Sequence, residues 1–221
     1  MPKDARIYAE RYEHINAHKF SEIKRLSRLE NQVYTMGLIN PDFGKRPGAT
    51  TNCTLCSVAY ELRRRGYDVE ANESVTGRDT TELAADIFYE VEDQYKDLED
   101  EQIKCTALTK DELIAALESN MPDGARGLLS GWFTWSDSNA PQSDLEASRP
   151  GSHTTRHCVA WEKINGHIVL FDCQANETCD VRDSHLSNFP AEHGTNYFAM
   201  RTDVMKIDEK KVMDAVRPRR Q

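Results

Sequence analysis

Apolar positions recur with helical spacing through the first part of the chain and alternate like strands through the second. Ile7, Tyr8, Tyr12 and Ile15 share one helical face over residues 4–18, and Phe20, Ile23, Leu26, Leu29 and Val33 do the same over 20–36. Two helices are predicted there. The Pro- and Gly-bearing stretch from Asn40 to Ala49 predicts a loop. Cys53 to Arg65 turns helical again, with Val58, Ala59 and Leu62 as its apolar stripe. Asn52 is a preferred N-cap residue, Arg63 to Arg65 place cations in the last turn, and Gly66 suits a left-handed cap. Tyr67–Ala71 predicts a short strand and residues 80–95 an acidic amphipathic helix. Glu90 to Glu101 reads as a solvated acidic flank. Thr109 with Glu112 forms a capping-box pattern that opens a helix to about Asn120.

From here the period changes. Pro122-Asp123-Gly124 turns the chain into an expected strand over Arg126–Trp135, followed by a long polar loop over 136–152. Two β-prone runs, His157–Ile164 and His167–Gln174, flank Asn165-Gly166, the strongest short hairpin signal. Asn196–Arg201 predicts a further strand and Lys206–Val216 a terminal helix. Arg217-Pro218-Arg219-Arg220 reads as a solvated tail. Helices followed by antiparallel strands define the α+β class.

Composition narrows the partners. The chain has 221 residues, 37 acidic against 28 basic, and a net charge of −9. That balance argues against general nucleic-acid binding, because polyanions are repelled at long range. The Arg63–Arg65 cluster is more simply a helix C-terminus. No apolar stretch approaches the roughly 20 residues a membrane span needs, and the N-terminus lacks the apolar core of a signal peptide. Six cysteines are too sparse for a disulfide scaffold, so a reducing, cytoplasmic site of action is expected.

Hairpin geometry supplies the chemistry. A two-residue turn at Asn165-Gly166 sets Ile164 opposite His167, and the same register sets Val159 opposite Asp172 and His157 opposite Gln174. His157, Asp172 and Gln174 then share one face, with Asp172 a diagonal step from His157. Cys158 and Cys173 face each other on the other side as packed thiols, and Cys56 and Cys105 are expected in the core. His153, His167 and His193 read as surface or loop residues. An imidazole with a carboxylate beside it is the second half of a nucleophilic apparatus. Cys53, at the positive end of a helix dipole, is the candidate first half, since such a position favours the thiolate. Taken singly, Cys53 fits a buried thiol, His157 a structural histidine, Asp172 a turn cap and Gln174 a surface amide. Two further readings compete. Cys53-x-x-Cys56 fits a redox pair, although the βαβ context of thioredoxin-like proteins is missing. Cys53, Cys56, His157 and Cys158 could be drawn as a zinc site, although the second half lacks ligand spacing.

Asn52-Cys53-x-x-Cys56, the run Ala59-Tyr60-Glu61-Leu62-Arg63-Arg64-Arg65-Gly66-Tyr67-Asp68-Val69-Glu70-Ala71, His157, and Phe171-Asp172-x-Gln174 resemble the papain-fold toxin 1 family. These are papain-like domains of bacterial toxins and effectors and of some phage head-associated proteins. The resemblance covers residues 40–202, leaving 1–39 as a helical N-terminal extension and 203–221 as a C-terminal helix and tail. It implies a papain-like cysteine protease fold with Cys53, His157 and Asp172 as the triad, and Asn52 or Gln174 beside the oxyanion. It implies a glutamine deamidase or peptidase acting on a target-cell protein, with no cofactor or metal, and raises an immunity protein or activator as a further partner. Cys173 stands where the family usually has Gly or Pro, and Arg156 where it often has Gly. A structural or interaction domain of a phage particle, its chemistry unused, is the alternative from another class.

Overall fold

The computed structural model describes residues 19–25, 38–74, 81–89, 110–135, 153–175, 177–180 and 198–220. The expected helix over 4–18, most of that over 20–36, the acidic flank 90–101, Thr109, the polar loop 136–152, Cys105 and His193 lie outside the described residues. What is described mixes helices with antiparallel sheet, the α+β class that the pattern predicts. It divides into two units. One comprises Met1–Tyr89, Cys173–Asn176 and Lys206–Gln221, and the other Glu90–Asp172 and Glu177–Met205.

The first unit is built around helix α1, Cys53–Arg64, whose residues Thr54 to Arg63 are all buried. A helix buried nearly all round needs its polar residues paired. Glu61 accordingly takes Arg65 at 2.7 Å, and Arg63 takes Asp68 at 2.8 Å. The helix ends as its sequence predicts. Gly66 adopts a φ of 89°, and the N–H groups of Gly66 and Tyr67 reach back to the carbonyls of Arg63 and Leu62 at 2.8 and 3.0 Å. That pair of bonds is a Schellman cap. Beyond it lie β1 (Val69–Ala71), α2 (Thr81–Ile87) and β2 (Phe88–Tyr89).

Four expectations for this unit need correction. In the described part of the helix expected over 20–36, only a 3₁₀ turn forms at Phe20–Glu22, after which Ile23 is extended and Arg25 bridges Tyr67. The helix expected over 80–95 stops at Ile87, because Phe88 and Tyr89 pair with Ile207 and Lys206 of a later strand. The terminal helix expected from Lys206 begins only at Glu209. Lys206–Ile207 is that pairing strand, β8, and Asp208 caps the helix that follows. Its carboxylate accepts from the Lys210 and Lys211 N–H groups at 2.9 and 3.1 Å, an ordinary N-cap. Nor is the arginine-rich terminus a solvated tail. Helix α4 (Glu209–Ala215) runs directly into strand β9 (Val216–Pro218), which pairs antiparallel with β1, Val69 opposite Pro218 and Ala71 opposite Val216. The reason is electrostatic. Glu70 on β1 is buried and receives Arg217 and Arg220, each at 2.6 Å, while Asp68 receives Arg219 at 2.9 Å.

The second unit is a five-stranded antiparallel sheet in the order β6-β5-β4-β3-β7 with one described helix. The helix is α3 (Lys110–Asn120), and the strands are β3 (Arg126–Trp135), β4 (His153–Ile164), β5 (His167–Asp172), β6 (Glu177–Asp180) and β7 (Phe198–Arg201). Leu113, Leu117 and Met121 pack with Leu129, Val159, Trp161, Ile168, Leu170 and Ala199 as the core. Full burial of one such apolar side chain contributes about 1.5–3 kcal/mol. Gly127 faces Trp161 across the ladder, and a Cβ there would sit 1.9 Å from the Met200 carbonyl and 2.7 Å from the indole. Only glycine fits. The Asn165-Gly166 turn has both residues at positive φ, 52° and 82°, the type I′ geometry the dipeptide favours. The hairpin tip is tied to α3, since the Lys163 ammonium donates to the Glu118 and Met121 carbonyls at that helix's end.

Candidate active site

The β4–β5 ladder runs in the expected register, from Ile164↔His167 to Ala160↔Phe171. This alternation sends Val159, Trp161, Ile168 and Leu170 into one core. His157 and Asp172 continue the same face toward the end away from the turn. Their side chains meet, with His157 Nε2 lying 2.8 Å from Asp172 Oδ2. Both are largely shielded, at 5% and 14% side-chain exposure. A carboxyl group in this position orients the ring through Nε2.

Gln174 does not take its expected place opposite His157. The ladder ends at Phe171, Asp172 instead pairs with Glu177 of β6, and Cys173 to Ala175 form a turn. The chain doubles back into β6 at once, so no length of β5 remains to continue the pairing. Gln174 is buried in the first unit, where its carbonyl accepts from Asn40 Nδ2 at 3.0 Å. The same turn removes Cys173 from its expected ladder position opposite Cys158. Both are buried and outside any disulfide, as is Cys56.

Cys53 opens α1 as the sequence predicts, half-buried and not in a disulfide. The helix begins with the Cys56 N–H donating to the Asn52 carbonyl at 2.9 Å. Asn52 holds the N-cap position, but its side chain makes no capping bond. The carboxamide is buried and turns inward instead. Nδ2 donates to the Asn72 carbonyl at 2.9 Å and to Asn40 Oδ1 at 3.4 Å, and Oδ1 accepts from Asn40 Nδ2 at 3.3 Å. A buried amide has to satisfy donors and acceptor in the interior, and two neighbouring amides offer that here. Cys53, Asn52 and Gln174 thus fall in the first unit, and His157 and Asp172 in the second.

Two residues of this network carry no local signal in the sequence. Asn40, inside the predicted loop, donates to the Ala49 carbonyl at 2.9 Å as well as to Gln174 and Asn52. Asn72 donates to the carbonyls of Met213, Asp214 and Val216 at 3.1–3.2 Å, closing the end of α4. Both are almost fully buried. Their partners lie as far as 144 residues away in the chain, so no short window reveals them.

Charge surrounds this scaffold. Burial pushes the Asp42 carboxyl up, but the hydrogen bond and charge of Arg220, with Arg46 and Arg217, hold it below the ordinary carboxylate value. Asp68 is likewise pushed up by burial and brought lower by Arg219 and Arg63. Among the described residues no group of three or more His, Cys, Asp or Glu side chains could hold a metal ion. Among them too, no helix is long and apolar enough to cross a membrane.

The arrangement belongs to an α+β chain with a helix-opening thiol and a buried imidazole–carboxylate pair. Comparisons with models of protein families, with curated proteins and with solved structures found no match.

Proposed function

We propose that the chain is a papain-like thiol hydrolase in which Cys53, His157 and Asp172 work together on a carboxamide or peptide C–N bond. The observation that carries this reading is the 2.8 Å contact between His157 Nε2 and Asp172 Oδ2. It gives the imidazole an orienting carboxylate partner, the pairing a general base needs. The position of Cys53 as first residue of α1 adds to it, since N–H groups and the dipole at a helix start favour a thiolate.

In this mechanism the thiolate attacks the substrate carbonyl carbon and the carbonyl π electrons move to oxygen. N–H groups at the start of α1, which the Asn52 side chain does not cap, stabilise that oxyanion. The His157 imidazolium gives a proton to the leaving nitrogen as the C–N bond breaks. Water then attacks the thioester with the imidazole as base, releasing a carboxylate and restoring the thiol. Asn52 acts by holding the loop rather than by donating, because its amide is taken by Asn72 and Asn40. Gln174 is then the remaining candidate for a second oxyanion donor.

The substrate class follows from the resemblance to papain-fold toxins. A protein glutamine is the target and ammonia the leaving group, in a toxin, effector or phage-borne factor. Incubation of the full chain with a mixture of folded cytosolic proteins, read by mass spectrometry, tests this. Glutamine-to-glutamate conversion that disappears with Cys53→Ser is the expected result. Cysteine-dependent backbone cleavage would make the chain a peptidase of the same mechanism. Neither change would leave it an interaction or structural domain.

A further inference from the structure

We infer that Asn40 is a positioning residue for the thiol site. This deepens the reading of Cys53 as nucleophile and rests on it. Asn40 Nδ2 carries two hydrogens and faces three acceptors. The two shorter bonds go to the Ala49 carbonyl at 2.9 Å and the Gln174 carbonyl at 3.0 Å, and the longer one to Asn52 Oδ1 at 3.3 Å. Ala49 ends the short 3₁₀ turn Pro47–Ala49 that feeds the nucleophile helix. Asn52 is the residue immediately before Cys53, and Gln174 lies two residues after Asp172. One side chain therefore fixes the approach to the thiol and the turn that follows the carboxylate.

Nothing in the local sequence demands this. Asn40 is outside every regular element, yet it is 2% exposed. A loop residue that only had to end a helix or start a turn would not be buried with its donors aimed at segments up to 134 residues away. Its Oδ1 is used as well, accepting from Asn52 Nδ2 at 3.4 Å. The reciprocal pair with Asn52 sets the backbone from which Cys53 departs. A shift of that backbone turns the first N–H groups of α1 away from the sulfur, and these are the groups that favour its thiolate form.

The test uses the full chain and iodoacetamide as probe, following Cys53 alkylation against pH in wild type, Asn40→Ala and Asn40→Asp. The aspartate keeps the shape but replaces the donor with an acceptor facing three acceptors. The expected result is an upward shift of about one unit in the apparent Cys53 pKa, so that alkylation at pH values below both pKa values slows about tenfold. Leu83→Ala, a buried α2 substitution, serves as a destabilised control whose melting temperature falls while its profile stays that of wild type. If Asn40→Ala does not fold, Asn40→Ser, which retains one donor, decides by the same profile. Folded Asn40 variants with the wild-type profile overturn the inference, whatever their melting temperature. A wild type that reacts as an ordinary thiol near pH 8.5 sinks the nucleophile assignment itself, and with it this inference.

Discussion

Both units bury an apolar core, and they differ in the charge built around it. The five-stranded sheet is sustained by an apolar core in which Leu113, Leu129, Trp161, Ile168 and Leu170 are fully or almost fully buried. Around β1 and β9, ion pairs are added to the burial of Val58, Leu62, Val69, Val212 and Val216. Three arginines from the last residues of the chain meet Asp42, Asp68 and Glu70 around a two-stranded sheet. Apolar contacts carry no titrating charge and so do not respond directly to pH. Buried ion pairs are sensitive to both pH and the loss of either partner. The difference implies that the two units will fail under different stresses.

The largest effect should come from the sheet. Trp161→Ala removes a side chain that is 0% exposed and whose indole N–H donates to the Leu128 carbonyl at 3.3 Å. A loss of about 3–5 kcal/mol is expected in urea unfolding. A loss under 1 kcal/mol would mean that this core is looser than its burial indicates.

Next comes the clamp on β1. Replacing both Arg217 and Arg220 by Ala leaves Glu70, 2% exposed in its side chain, without either of its two arginines. A cost of about 3 kcal/mol is expected, because the carboxylate stays buried and uncompensated. Arg220→Ala alone should cost about 1 kcal/mol or less, since Arg220 is half-exposed and Arg217 remains. If the single and double replacements cost the same, the contrast between the units is not one of charge.

A helix cap gives a smaller effect of known sign. Asp208→Ala removes the acceptor for the Lys210 and Lys211 N–H groups and should cost about 1 kcal/mol.

Acid sharpens the comparison further. Asp42 and Asp68 titrate below their ordinary value of 3.8 when folded. A depressed carboxyl stabilises the fold above its unfolded pKa, and that contribution is lost as pH falls through the folded value. Thermal stability of the wild type should therefore decline as pH drops below about 4. The decline should be shallower in Asp68→Asn and should leave the relative cost of Trp161→Ala unchanged. An acid profile that Asp68→Asn does not alter would remove Asp68 from the account.

The same division explains what the sequence makes legible. Helix α1 with its Gly66 cap, α3, β3 and the Asn165-Gly166 hairpin are written in windows of a few residues, where spacing and turn chemistry agree. The His157–Asp172 meeting is legible too, because hairpin register is arithmetic once the turn is fixed. What escapes depends on distant partners. Strand β9 exists because Glu70 and Asp68 need cations, and β2 exists because Lys206 and Ile207 pair with it. The asparagines at 40, 52 and 72 follow the same rule. Asn52 has the right residue type for an N-cap, and only the presence of Asn40 and Asn72 draws its amide inward. Gln174 escapes for the opposite reason: the hairpin register ends where the chain turns into β6.

The proposed hydrolase requires Cys53 to be ionised by partnership with His157. The most direct measurement is the rate of Cys53 alkylation by iodoacetamide from pH 4 to 10 in wild type, His157→Ala and Asp172→Asn. The account predicts fast reaction well below neutral pH in wild type and its loss in His157→Ala. Asp172→Asn should fall between them, because the ring remains but its anchor no longer carries charge. A wild-type rate that rises only near pH 8.5, and that His157→Ala leaves unchanged, would contradict it.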